Sequence, residues 1–342
     1  LHGEGHSFPT RRSSDLVHRT PIDDPESRGG DLADYASALV VRSAPDTDGL
    51  ADLAPEVEVV LGFWPPDLFD SSPKLRWVQL MAAGADWYVR HNSVMSALQS
   101  GRVTLTTASG VHEACMSEHV FMMLLALVRR LKRSLRNQAS HAWEKGTMDE
   151  FGELWGRRLT VAGAGAVGRR VAALGAAFGM NVRVVRRNPD KPLALSPDTL
   201  GRAVEQVSVD NLDSVLPDTD VIVLAVPRTP ETNALLGADQ IARLPAGAIV
   251  CNVGRGNAVD EPALIEALRD GRLGGAGLDV FAAEPLPEDS PLWDMENVIV
   301  TPHNSGFTNT YGERLWRLFL DNFRRYETGE AMRNVFDPAR MY

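Results

Sequence analysis

The chain has 342 residues, of which 44% are hydrophobic and 23% charged, and its formal net charge is −10. This composition is typical of a globular protein with room for two domains, and the acidic balance argues against a nucleic-acid-binding surface. The longest apolar run, residues 120–128, is too short to span a bilayer, so no membrane association is expected. The two cysteines, Cys115 and Cys251, are expected to be reduced thiols in a cytoplasmic protein.

Residues 1–16 form an unusual start. The stretch FPTRRSSDL within them reads like an in-frame translation of a sequencing adapter, so we exclude them from the domain assignment and expect some true N-terminal residues to be missing. Beyond them, short apolar runs alternate with helix-like or turn-like segments, which predicts a small parallel α/β layer. The apolar runs cover residues 38–41, 57–61, 75–80 and 103–106. A single long helix is then predicted over residues 113–141.

A glycine fingerprint follows this helix. The apolar run 159–162 predicts a strand, the hexapeptide GAGAVG comes next, and an Ala- and Leu-rich helix is predicted over residues 169–179. Strand, GxGxxG and helix in this order are typical of a dinucleotide-binding fold, in which backbone amides at the helix start bind the pyrophosphate. The predicted cofactor-binding residues of this turn are Gly163, Gly165, Ala166, Val167 and Gly168.

The end of the next strand bears on which nicotinamide cofactor is used. NAD-preferring proteins place an Asp or Glu there to bind the ribose 2′-hydroxyl. Here the strand 181–185 is followed by Arg186 and Arg187, and no acidic residue occurs between Arg169 and Pro189. Two guanidinium groups are suited to a 2′-phosphate, although arginines also occur at solvated strand ends. We therefore expect NADP rather than NAD.

Three charged residues follow later apolar runs. Predicted strands at 248–253, 277–280 and 298–300 place Arg255, Asp279 and His303 at or near carboxyl ends, where parallel sheets bind ligands. Each alone has a structural explanation, as has the loop acid Glu284. Together they fit hydride-transfer chemistry, since reduction of a 2-oxo acid needs a cation for the substrate and a proton donor for the developing alkoxide. A carboxylate beside the histidine would keep it protonated.

The chain resembles the D-isomer-specific 2-hydroxyacid dehydrogenases from about residue 37 to its C-terminus. Four motifs match in order and spacing: GAGAVG, CNVGRGNAVDEPAL, GAGLDVFAAEPLP and TPHNSG. The phrase PEDSPLWDMENVIVTPH and the ending NVFDPARMY are most similar to the glyoxylate/hydroxypyruvate reductase branch. The replacement of the acidic ribose residue by Arg186 departs from the NAD-using pattern.

The resemblance implies a role for each matching residue. His303 is the implied acid/base, Glu284 its orienting partner and Arg255 the substrate anchor, while Ala83 and Gly84 offer backbone amides to the substrate carboxylate. His119 is implied to be structural, and no metal is expected. The further implied cofactor-binding residues are Val226, Pro227, Val253, Gly254, Asp279, Ser305 and Gly306.

The resemblance also implies the architecture: two Rossmann-like or flavodoxin-like parallel-sheet domains with a cleft between them. The substrate domain is expected to combine residues 17–112 with 305–342, including a returning helix at 311–327, and the dinucleotide-binding domain to cover 113–304. A homodimer acting on a small 2-oxo or 2-hydroxy acid is expected. Oxidation of a phosphite-type anion and a dinucleotide-sensing corepressor remain alternatives, and Trp64 and Trp143 are candidate pocket residues.

Overall fold

The computed structural model describes residues 47–195 and 203–342. The adapter-like segment 1–16 and the predicted strand 38–41 lie outside these residues. Two compact units divide the chain: one combines the stretch that ends at Val111 with Thr308–Tyr342, and the other is His112–Phe307. Both are α/β with parallel strands, which confirms the predicted fold class. Their assignment as substrate and dinucleotide domains, with the predicted bounds, stays a prediction.

The secondary structure alternates between strands and helices. The strands are β1 (Val59–Leu61), β2 (Trp77–Gln79), β3 (Thr104–Thr106), β4 (Arg158–Ala162), β5 (Asn181–Arg186), β6 (Glu205–Ser208), β7 (Val221–Leu224), β8 (Ile249–Asn252), β9 (Gly275–Leu278) and β10 (Val298–Val300). The helices are α1 (Thr47–Leu53), α2 (Asn92–Gln99), α3 (Glu113–Val128), α4 (Leu131–Ala139), α5 (Ala166–Ala177), α6 (Leu212–Val215), α7 (Ala238–Arg243), α8 (Glu261–Arg269) and α9 (Tyr311–Thr328).

The first unit is built on a three-stranded parallel sheet in the order β1-β2-β3. The indole of Trp77 on β2 is fully buried. It stacks on Phe319 of α9 with ring centroids 5.2 Å apart, and its Nε1 donates to Thr106 Oγ1 at 2.8 Å. Because the polar atom of the ring is satisfied, burial of this large side chain can stabilise the packing of α9 on the sheet.

The second unit is built on a seven-stranded parallel sheet in the order β10-β9-β8-β7-β4-β5-β6. Successive side chains of a strand face opposite sides of a sheet. Accordingly Ile222 and Leu224 of β7 join one apolar core, while Val221 and Val223 join another that includes residues of α3 and α5. The strand order reverses between β4 and β7, and in open parallel sheets this switch point is where ligands bind.

Three local predictions differ from the structure. The long helix predicted over 113–141 is wrong, because Arg130 adopts a left-handed conformation (φ 53°) and separates α3 from α4. The guanidinium of Arg130 donates to the Glu150 carbonyl at 2.9 Å, which holds this break. The glycine-rich β9 lies two residues earlier than predicted, and the edge strand β6 was not predicted at all.

Candidate active site

The glycine turn joins β4 to α5, and its three glycines meet different surroundings. Gly163 has φ +108°, and a Cβ there would lie 2.4 Å from the Ala225 carbonyl oxygen. A Cβ on Gly168 would lie 1.9 Å from the Gly163 oxygen, so this position packs helix against strand. A Cβ on Gly165 would meet no heavy atom within 4 Å. The open space at Gly165, at the start of a twelve-residue helix, fits a dinucleotide pyrophosphate.

The two arginines at the end of β5 have different partners. Arg186 Nη1 donates to the Lys191 carbonyl and to Gln206 Oε1, both at 3.0 Å. Both acceptors are neutral, and within residues 47–195 and 203–342 no carboxylate forms an ion pair with Arg186. Arg187 is about half exposed, and its Nη2 lies 3.9 Å from Glu231 Oε2. A positive charge therefore remains at the position where a cofactor ribose is expected.

The loop after β8 carries Arg255 on a tightly packed backbone. Asn252 is 1% exposed; its Oδ1 accepts from the Gly254 N–H at 3.1 Å and its Nδ2 donates to the Arg255 carbonyl at 3.0 Å. A Cβ on Gly254 would lie 2.8 Å from the Val226 oxygen, and one on Gly256 1.8 Å from a backbone oxygen of the loop after β9. These contacts fix the backbone from which the guanidinium extends. Asn252 was not singled out from the sequence, although a polar residue ending an apolar strand could have indicated it.

Asp279, directly after β9, organises the turn that presents His303. Its carboxylate is fully buried and accepts hydrogen bonds from Thr301 Oγ1 at 2.6 Å and from the N–H groups of Asn304 and Ser305 at 3.1 Å each. Its carbonyl oxygen accepts from the His303 N–H at 2.9 Å. His303 itself has φ +50°, an uncommon conformation for a residue with a side chain, and these contacts hold it.

His303 and Glu284 form the pair that was expected from the sequence. His303 Nδ1 lies 2.7 Å from Glu284 Oε2, and Glu284 Oε1 accepts from the Phe281 N–H at 3.0 Å. Because Nδ1 faces the carboxylate, Nε2 is the ring nitrogen that a substrate would use for proton exchange. The histidine side chain is 39% exposed, so solvent-borne molecules reach it.

The charges around this pair set its protonation. The hydrogen bond that His303 donates to Glu284, together with the charge of that carboxylate, raises the pKa of His303 above its usual value, while burial and the positive charge of Arg255 oppose the rise. Burial acts to raise the pKa of Glu284, but the bonds from His303 and Phe281 and the charge of Arg255 outweigh it and lower that pKa. Both shifts favour an imidazolium beside a carboxylate over the neutral pair.

His119 belongs to the support of this site. The Thr301 hydroxyl donates its one hydrogen bond to Asp279. His119 Nε2, at 3.0 Å from the same oxygen, must therefore be the donor in its contact with Thr301. Burial lowers the pKa of His119, although the charge of Asp279 partly opposes this. His119 is thus part of the hydrogen-bond network around Asp279, and its structural role stays a prediction.

The remaining predicted residues occupy varied environments. Val226, Val253 and Ser305 are buried, Pro227 is exposed, and the carbonyl of Gly306 lies 2.9 Å from His112 Nδ1. Their contact with a cofactor stays a prediction.

The two substrate-loop residues and the candidate pocket tryptophans need separate mention. Ala83 and Gly84 belong to the first unit, in the loop after β2, where Ala83 is exposed. Trp64 lies in the core of that unit, 2% exposed, and donates to Ser72 Oγ, so the structure gives it a packing role. Trp143 is 90% exposed.

Three further findings concern cysteines, metals and membranes. Cys115 and Cys251 are both free thiols, and burial strongly raises the pKa of the Cys251 thiol. Within the described ranges, no group of three or more His, Cys, Asp or Glu side chains could hold a metal ion. No helix in those ranges is both long and apolar enough to cross a membrane.

Comparison with known proteins gave three informative matches. The family model described as D-isomer specific 2-hydroxyacid dehydrogenase, NAD binding domain, matches residues 121–305. Glyoxylate reductase of Korarchaeum cryptofilum is 31% identical over 314 residues, which are 89% of this chain and 87% of that protein. D-3-phosphoglycerate dehydrogenase of Mycobacterium leprae is 31% identical over 299 residues, 86% of this chain, but this chain spans only 50% of that protein.

A solved structure adds a cofactor to the comparison. The crystal structure of an NADPH-dependent glyoxylate/hydroxypyruvate reductase from Sinorhizobium meliloti, in complex with NADP and sulfate, matches with a TM-score of 0.72 and 28% identity. The match covers 91% of this chain and 95% of that one.

Proposed function

The chain belongs to the D-isomer-specific 2-hydroxyacid dehydrogenase family, and on that premise we propose that it reduces a small 2-oxo acid of the glyoxylate or hydroxypyruvate type, with NADPH as the preferred cofactor. The observation that carries the proposal is the 2.7 Å contact between His303 Nδ1 and Glu284 Oε2, with the charge of Arg255 close enough to act on the pKa of both. This arrangement supplies an acid and a cation, the two groups that reduction of a 2-oxo acid requires.

In the proposed reaction Arg255, His303 and Glu284 have different roles. The glycine turn of Gly163, Gly165 and Gly168 would hold a reduced nicotinamide dinucleotide, which would supply the hydride for the carbonyl carbon. The Arg255 guanidinium binds the substrate carboxylate and stabilises charge that develops on the carbonyl oxygen. His303 donates its Nε2 proton to that oxygen, which completes the hydroxy acid, and Glu284 stabilises the imidazolium beforehand and keeps the ring oriented. In the oxidative direction, neutral His303 accepts the proton from the hydroxyl group.

The cofactor preference is proposed from the end of β5. Gly163, Gly165 and Gly168 give the turn for a pyrophosphate, and Arg186, whose acceptors are neutral, gives a positive charge for a 2′-phosphate. The Sinorhizobium meliloti relative, which holds NADP in its crystal structure, supports this choice. Arg187 shares its charge with Glu231 and is expected to contribute less.

The experiment is a turnover assay with glyoxylate and hydroxypyruvate, comparing NADPH with NADH at 340 nm. We expect faster oxidation of NADPH, and we expect Arg186→Ala to raise the KM for NADPH by about tenfold or more while changing the KM for NADH little. Arg183→Ala is the matched control, because Arg183 lies on the same strand and forms an ion pair with Glu205 at 2.7 Å. Equal effects of Arg186→Ala on both cofactors would refute the 2′-phosphate assignment.

Oxidation of D-3-phosphoglycerate is the second candidate function. Several relatives whose sequence identity to this chain is similar to that of the glyoxylate reductase are named D-3-phosphoglycerate dehydrogenase. The chain spans about half the length of these relatives. The same assay run in the oxidative direction with D-3-phosphoglycerate distinguishes the two. Turnover of that compound, without turnover of glyoxylate or hydroxypyruvate, would replace the proposed substrate and leave the roles of His303 and Glu284 unchanged.

We also propose that the protein is a homodimer through the region around α3 and α4. Several large apolar side chains there are exposed in the single chain: Met122 (46%), Leu135 (56%), Trp143 (90%), Met148 (93%) and Trp155 (72%). All five lie within residues 122–155, and exposed apolar side chains of this size are typical of an interaction surface. Light scattering should give a mass of two chains, and a monomer at micromolar concentration would contradict this proposal.

A further inference from the structure

The loop after β2, residues 81–84, is held through its carbonyl groups. The Met81 carbonyl accepts a hydrogen bond from the Tyr311 hydroxyl at 2.5 Å. The next carbonyl, that of Ala82, accepts from the Ala108 N–H at 2.9 Å. Two consecutive carbonyl groups of the loop are therefore anchored, and one of the two anchors is a side chain.

The next two residues of the loop, Ala83 and Gly84, supply two neighbouring amides. Over residues 47–195 and 203–342, neither the Ala83 N–H nor the Gly84 N–H donates to an acceptor of the protein. The Gly84 carbonyl accepts a hydrogen bond from Nε1 of Trp87 at 3.2 Å. Adjacent N–H groups without an internal acceptor favour an anion, and a carboxylate is the anion that the proposed substrate carries.

Tyr311 reaches this loop from the first residue of α9. Its ring packs against an apolar cluster whose buried members are Ala108, Val111 and Leu315. Burial raises the pKa of the Tyr311 phenol, so the hydroxyl keeps its proton and remains a donor at neutral pH. The contact joins residues 230 positions apart in the chain, which makes it a property of the folded unit rather than of the local sequence.

We propose that Tyr311 is a positioning residue for the substrate carboxylate: by fixing the Met81 carbonyl, its hydroxyl orients the peptide groups that follow, so that the Ala83 and Gly84 amides point to the anion. The inference rests on the proposed reduction of a 2-oxo acid. An anchored loop has less freedom to lose when the substrate binds, so removal of the anchor weakens carboxylate binding without touching the acid His303.

The test is Tyr311→Phe, which removes the hydroxyl and keeps the ring in its cluster. We expect the KM for glyoxylate and the Kd for oxamate, a non-reacting analogue of a 2-oxo acid, to rise about fivefold, with the kcat and the NADPH KM within about twofold of the wild-type values. Tyr326→Phe is the matched control, because the Tyr326 hydroxyl on the same helix donates to Glu58 Oε1 at 2.6 Å, away from the loop. It should leave both constants unchanged.

The outcomes separate this inference from the proposed function. An unchanged glyoxylate KM and oxamate Kd in Tyr311→Phe, or equal changes in Tyr326→Phe, overturn the positioning role. If the wild-type protein binds oxamate but does not turn over a 2-oxo acid, the proposed function fails, and weaker oxamate binding by Tyr311→Phe still supports the positioning role. A wild-type protein that does not bind oxamate overturns the carboxylate site itself.

Discussion

Two glycine substitutions in the same turn should differ in their effect on the stability of the protein. At Gly168 an added Cβ would lie 1.9 Å from the Gly163 carbonyl oxygen, far inside van der Waals contact, and the atom it meets is backbone. The helix or the turn must shift, so Gly168→Ala should lower the free energy of unfolding by about 3 kcal/mol, the upper end of the usual cost of overpacking. Cofactor binding should weaken as a consequence of the displaced turn.

Gly165→Ala should instead leave the fold intact and weaken the binding of the cofactor directly. Gly165 has φ −69° and ψ −173°, which alanine adopts readily, and an added Cβ meets no protein atom within 4 Å. Its stability cost is that of replacing an N-cap glycine by alanine, up to about 1 kcal/mol. The methyl group enters the space proposed for the pyrophosphate, and a clash of about 1–3 kcal/mol corresponds to a Kd for NADPH raised roughly 5- to 150-fold.

The assays are thermal unfolding of the cofactor-free protein and calorimetric titration with NADPH. The expected pattern is a large loss of stability in Gly168→Ala, and a near-normal unfolding midpoint with weak binding in Gly165→Ala. Wild-type affinity for NADPH in Gly165→Ala would refute the placement of the pyrophosphate at this turn. Wild-type stability in Gly168→Ala would refute the packing argument.

Two further predictions concern the acid and its partner. His303→Gln should lower kcat by about 10²–10⁴-fold while the calorimetric Kd for NADPH stays at the wild-type value, and a parallel loss of cofactor binding would contradict its role as the acid. Glu284→Gln removes the group that raises the pKa of His303. Since reduction needs the imidazolium, its rate falls as pH rises through this pKa, and in Glu284→Gln that fall should move to lower pH. An unshifted pH profile of kcat/KM would count against the pairing of His303 with Glu284.

Much of the unit His112–Phe307 was predictable from the sequence because its signals are local. The strand at 159–162, the glycine turn and the strand beginning at Asn181 were all predicted close to their observed positions. The helix after the turn ends near Gly179, whose φ of +78° is the left-handed conformation that glycine favours. The errors also have local causes. The GAGL sequence of β9 has few strand-forming side chains, and the EQVS sequence of β6 is a polar edge strand without clear apolar alternation.

The break between α3 and α4 could not be read from local propensity. Residues 113–141 contain neither glycine nor proline, so nothing in the stretch itself marks a stop. The interruption at Arg130 is held by its contact with the carbonyl of Glu150, twenty residues further on. A helix that is compatible with its sequence throughout can thus still be ended by a tertiary hydrogen bond.

The groups that carry the proposed chemistry can be read from the sequence: the glycine turn, the arginines at the end of β5, and the candidate set of Arg255, Glu284 and His303. How these groups are held depends on contacts between residues that are distant in the chain. The buried carboxylate of Asp279 fixes the turn at His303, and Tyr311 anchors a loop 230 residues away. The physical reason is that spacing along a chain specifies which face of a helix or strand a residue occupies. Which distant groups meet depends on strand order and on how helices pack over the sheet.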